Sequence, residues 1–180
     1  MSEKFETTDE ARVSWGGKFA GGILAGILAA VLMMGFLMAY SSATGAGPTT
    51  PLKELGALIY GVEALVVGST AILTGASIEL GVAIVLGIMF GLAVSQRTSV
   101  ILALFAGILV GIAIWVAMEL YVLPFMDPTM AARIALMPIA YFIAHVLFGI
   151  GLGLSAVFVK VCSRPRQRRR VEQPTEPLLT

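Results

Sequence analysis

Four ionisable side chains stand inside or beside the apolar stretches of this 180-residue chain: Glu63, Glu79, Glu119 and the single histidine, His145. Placing such a group in hydrocarbon is costly, and within a membrane segment it is by default a candidate functional site. Two carboxylates and an imidazole in one layer can bind a proton or a small cation and release it again. Glu63, on a neighbouring segment, would cap the same vestibule, with Asp127 and Arg133 at its rim. Each of these groups also has a structural reading. Glu79 and Glu119 can reach water near the span ends, His145 can serve as an interhelical hydrogen-bond partner, and Asp127 before Pro128 reads as a helix cap.

The elements that must position these groups follow from composition. Hydrophobic residues make up 58% of the chain and charged residues 13%, against about 25% charged in soluble domains. Mean hydropathy is +0.93. These values exclude a disordered chain, a coiled coil and an ordinary soluble enzyme, and they indicate a small polytopic membrane protein. Uncharged or nearly uncharged runs predict four spans, at about 19–40, 77–95, 100–123 and 138–159, with Pro124 ending the third. Residues 41–50 read as a loop, with Thr50 as N-cap, Pro51 as first helical residue and Glu54 in the first turn. Residues 51–74 read as a re-entrant or interfacial segment, because Glu63 falls in the middle; a fifth span is the alternative. The fold class is therefore an all-α integral membrane protein, a four-transmembrane-helix bundle.

Orientation follows the distribution of lysine and arginine. Lys160, Arg164, Arg166, Arg168, Arg169 and Arg170 crowd behind the last span. They anchor a cytoplasmic, basic, disordered tail over 161–180 and attract anionic lipid. The N-terminal segment 1–18 is then cytoplasmic too, and its four acids make it a poor cleavable signal. The single cysteine, Cys162, excludes an intrachain disulfide.

An internal repeat is legible. Shifted by 85 residues, Gly22 and Gly26 fall on Gly107 and Gly111. Shifted by 66, Glu79 falls on His145 and Gly87 on Gly153. This predicts a tandem repeat of a helical hairpin. Stripes at i, i+4 place Gly22 and Gly26, Gly87 and Gly91, Gly107 and Gly111, and Gly149 and Gly153 on the packing faces. The far ends of those stripes carry Met34, Glu79, Glu119 and His145. At about 1.5 Å of rise per residue, three of the four share a depth and Glu119 lies higher.

No phosphate loop, nucleophile–histidine pair or CxxC is present, so neither an enzyme nor a bound cofactor is expected. Several methionines map to the same half as the polar layer, but softness alone does not select a metal, and no metal site is assigned. The run Met118-Glu119-Leu120-Tyr121-Val122-Leu123-Pro124, then Asp127-Pro128, then Ala144-His145 before Phe148-Gly149, resembles small bacterial inner-membrane proteins of uncharacterised, YagU-like type. The resemblance spans residues 19–160 loosely and implies about four spans in the bacterial cytoplasmic membrane. It departs at Glu79, where such proteins often carry histidine. The function expected is proton or small-cation transport through an outward-facing polar layer. The alternative is a non-catalytic accessory subunit packed against other membrane proteins. The expected partners are the lipid bilayer and either a second copy or another membrane protein, with no nucleic acid.

Overall fold

The computed structural model describes residues 15–66, 68–95 and 98–163. The tail arginines, Arg97 and residues 1–14 lie outside them. Among the described residues the chain forms helices and turns and no strand. Four helical stretches are long and apolar enough to cross a membrane: Trp15–Ala43, Gly68–Ala93, Val100–Met126 and Pro138–Cys162.

The first is α1. A loop with Gly45 and Gly47 at positive φ leads into α2 (Thr50–Tyr60). Thr49 holds the cap position without a side-chain cap bond. Thr50, expected to cap, instead donates its hydroxyl to the Ala46 carbonyl at 2.6 Å. With 11 residues, α2 is too short for a bilayer, which takes about 20. It ends at Gly61, whose φ of 61° suits a residue without a side chain. A 3-10 turn over Gly61–Leu65 follows and leaves Glu63 exposed.

The second span, α3 (Gly68–Ala93), starts nine residues before the expected position 77. The reason is local: the break occurs at Gly61, so Gly68-Ser69-Thr70 is free to start the helix. Ser77 sits inside α3 and donates to the Leu73 carbonyl at 2.8 Å. The third span begins as α4 (Val100–Ala117), capped by Ser99, which accepts from the Leu102 amide at 3.2 Å. It does not end at Pro124. A π-helical turn over Met118–Val122, closed by the Leu123 amide on the Met118 carbonyl, carries it into α5 (Leu123–Met126). Proline lacks an N–H and collides with the carbonyl four residues back, and the widened turn relieves that collision.

Asp127 then caps α6 (Pro128–Leu136), its Oδ1 accepting from the Met130 amide at 2.9 Å. Asp127→Ala should lower stability by about 1 kcal/mol, measured as a reduced melting temperature in detergent. The last span is α7 (Pro138–Gly153) followed directly by α8 (Ser155–Cys162), so helix continues two residues into the expected tail.

The start of α1, the end of α8 and the facing ends of α3 and α4 share one end of the bundle. Lys18 donates to the Leu92 carbonyl and Lys160 to the Thr98 carbonyl, each at 3.1 Å. The segments α2 and α6 lie at the far end. There Leu52, Leu55, Met130 and Ile134 join Met34, Leu37 and Tyr141 in the largest apolar cluster. The two most buried spans, α1 and α7–α8, pack on each other. On their outer sides α3 packs on α1 and α4 on α7, whereas α3 and α4 make next to no contact among the described residues.

Glycines set these spacings. A Cβ built on Gly22 would lie 2.6 Å from the Gly87 carbonyl oxygen, and one on Gly26 would strike the Ala83 carbonyl. In the other pair, Gly107 faces the Gly149 carbonyl and Gly111 that of His145. Close backbone approach of this kind drives helix association where the hydrophobic effect does not. Gly22 meets the Gly87 carbonyl as Gly107 meets that of Gly149, and Gly26 meets that of Ala83 as Gly111 meets that of His145. By these contacts Gly87 pairs off with Gly149 and Ala83 with His145, whereas the 66-residue shift pairs Gly87 with Gly153. The position matching Glu79 is then Tyr141, one turn before His145. Both stripes carry small residues every four positions, and sequence pattern alone does not separate neighbouring turns.

Candidate functional site

Between α3 and α4, floored by α1 and α7 and roofed by α2 and α6, lies a cavity of about 200 Å³. Glu79, Glu119 and His145 all line it, from three different spans. Glu63 does not; it sits on the exposed turn after α2, away from the cavity. The chain's bend at Gly61 accounts for this, since the turn carries the carboxylate out rather than over the vestibule.

Glu79 is 9% exposed, and its Oε1 has no hydrogen-bond partner among the described residues. It follows Gly75 and precedes Ala83 on the α3 face that meets α2 and α1, so close packing on both sides holds it inward. His145 lies 2.8 Å through Nδ1 from the Tyr141 carbonyl oxygen. A carbonyl only accepts, so Nδ1 carries the proton, and Nε2 of the neutral ring remains an acceptor. Glu119 is half-buried in the π turn of the third span, a distortion often found at functional positions. Trp115 lines the same cavity, packs edge-on against Phe142 at 5.2 Å, and has a buried Nε1 without a partner among the described residues. The rest of the wall is mainly aliphatic and thioether, including Met33, Met34, Met118 and Met130. Among the described residues no three His, Cys, Asp or Glu side chains are grouped to hold a metal ion.

A second polar group closes the roof. Arg133 of α6 reaches Glu54 of α2, Nη1 to Oε1 at 2.6 Å, and the Tyr141 hydroxyl of α7 donates to Glu54 Oε2 at 2.9 Å. Glu54 is buried, and burial pushes its carboxyl above the ordinary glutamate value, while Arg133 and the Tyr141 hydrogen bond pull it back. A smaller cavity of about 70 Å³ beside it is lined by Glu54, Asp127 and Arg133. Asp127 and Arg133 thus belong to this roof cluster rather than to the rim of the larger cavity.

By sequence Glu54 falls in the first turn of α2, where the helix dipole favours an acid. Instead it lies beyond the first turn of α2 and joins three elements. The available signal was a lone arginine in the 124–137 connection facing a lone acid early in the 50–60 helix.

No protein-family model, curated protein or solved structure matches the chain.

Proposed function

We propose that this chain is a multi-pass protein of the bacterial cytoplasmic membrane that passes protons or a small cation. The observation that carries this reading is the convergence of Glu79, Glu119 and His145, from three spans, on one cavity. Intramembrane ionisable groups are expensive and are kept where they serve an ion or proton path. Glu79 takes up and gives back the proton or cation, His145 offers Nε2 as the next acceptor, and Glu119 lines the same cavity from the π turn of the third span. The basic residues Lys18 and Lys160 favour a cytoplasmic placement of the end that bears them, so the cavity faces outward. The short helix α2 then serves as an interfacial or re-entrant cover.

Below the cavity the glycine contacts leave little room between α1 and α3, or between α4 and α7. Passage therefore needs the α1–α3 and α4–α7 hairpins to rock against each other. Their shared contact register supports reading them as a tandem repeat, an arrangement suited to such motion.

The alternative, an accessory subunit, rests on the glycine stripes, the small size and the lack of a catalytic motif. The glycines at 22, 26, 87, 107, 111 and 149 are occupied by contacts within the chain, which weakens the first of these motives.

Proteoliposomes with an internal pH dye and an imposed gradient test the reading. Both His145→Ala and Glu119→Gln should slow proton flux by about tenfold or more, a rise of at least about 1.4 kcal/mol in the transport barrier. Wild-type rates in both folded variants would remove its basis.

A further inference from the structure

The cavity, roofed at the far end by α2 and α6, opens sideways. Val82 lies near the middle of α3, lines the cavity and is 54% exposed. The two helices flanking the mouth, α3 and α4, are not packed together. On that long face they present Val85, Met89, Phe105 and Leu109 outward, all exposed and apolar. A face of this composition on a spanning helix meets lipid. The mouth at Val82 therefore opens at bilayer depth.

The interior narrows the class of occupant. An inorganic cation such as calcium or magnesium takes about six oxygen ligands. Here the carboxylates are Glu79 and Glu119, while the Tyr141 hydroxyl is committed to Glu54. An anion would meet those two carboxylates. A neutral lipid chain would leave the buried Glu79 oxygen without a partner. An organic cation satisfies all three conditions: its apolar body packs on Met33, Leu86 and Phe148, and its ammonium lies between Glu79 and the Trp115 ring, which attracts cations through its face. We infer that the cavity binds lipophilic organic cations, which arrive from the bilayer through the gap between α3 and α4. This rests on the cation-handling reading above and names its substrate class.

Trp115 supplies the readout. In a Trp15→Phe chain it is the sole tryptophan. With that chain in phosphatidylcholine nanodiscs, dodecyltrimethylammonium should shift its emission saturably. Tetramethylammonium, which lacks the apolar body, and dodecyl maltoside, which lacks the charge, should not. Glu79→Gln should weaken the affinity by about tenfold or more; Glu119→Gln serves as the second variant if Glu79→Gln fails to fold. Val82→Phe, which narrows the mouth, should slow binding of the amphiphile. Equal shifts with the neutral amphiphile, or undiminished affinity in both folded glutamine variants, would overturn the inference. Proton flux lost in the glutamine variants without saturable amphiphile binding would also overturn it, and would leave the transport reading standing. Saturable, Glu79-dependent binding without any flux would support the substrate class and remove the transport reading.

Discussion

A Gly149→Leu chain should fail to assemble its membrane domain. A Cβ on Gly149 would strike the Gly107 carbonyl oxygen and come within 2.7 Å of the Ile108 Cα. Both obstacles are backbone, so no side chain can rotate away. The α4–α7 pair would have to separate, and the cavity wall carrying Trp115 and Glu119 would move with it. Overpacking in a close-packed interior costs about 1–3 kcal/mol and at times more, and here a branched side chain meets a helix backbone directly. The expected result is loss of the monodisperse species in detergent. Gly149→Ala should lower the melting temperature without abolishing folding. Gly35→Ala, where nothing lies within 4 Å of the added Cβ, should match the wild type. A monodisperse Gly149→Leu chain with unchanged melting would show that α4 and α7 do not touch at this point.

Arg133→Met should be the most damaging single change outside the spans. It leaves the Glu54 carboxylate buried with only the Tyr141 hydroxyl as partner. Breaking a buried ion pair on one side costs about 3–5 kcal/mol, equivalent to roughly 10 °C in melting temperature for a chain of this size. The double change Glu54→Leu with Arg133→Met should recover most of that loss, because a well-packed apolar pair often replaces a buried ion pair at little cost. The pH dependence has a definite sign. Burial already raises the Glu54 carboxyl, and removing Arg133 removes the attraction that lowers it. A carboxyl raised in the folded state stabilises fully below its unfolded value, near 4.5, and that stabilisation is lost as pH rises through the folded value. The Arg133→Met defect should therefore be largest at neutral pH and shrink as the pH falls towards 4.5. A defect of constant size across this range would mean that Glu54 does not ionise in the roof.

The four spans and the small-residue faces are legible because both depend on local composition: long apolar runs, and glycine every fourth residue. Glu79 and His145 fall on one cavity for the same reason, since their shared depth can be computed from helical rise, whereas Glu119, computed to lie higher, joins them from the π turn. Glu63 departs because a single positive-φ glycine, Gly61, decides where α2 ends, and hydropathy does not register φ. The third span runs past Pro124 because a π turn absorbs the proline, a compensation set by the backbone around it. The 66-residue shift misplaces the counterpart of Gly87 by one turn because each stripe is nearly invariant under a move of four residues; only the interlocked carbonyls favour Gly149 over Gly153. The roof cluster was hidden because Glu54 and Tyr141 are 87 positions apart, and neither carries a motif.

The most direct test compares two glutamates that look alike in sequence. Proton flux should be measured side by side in proteoliposomes carrying the wild type, Glu79→Gln and Glu63→Gln, each shown to be folded. The cavity account predicts that Glu79→Gln falls to the level of empty liposomes and that Glu63→Gln, altered on an exposed turn, transports as the wild type does. Flux that survives in Glu79→Gln, or that is lost equally in both, would contradict it.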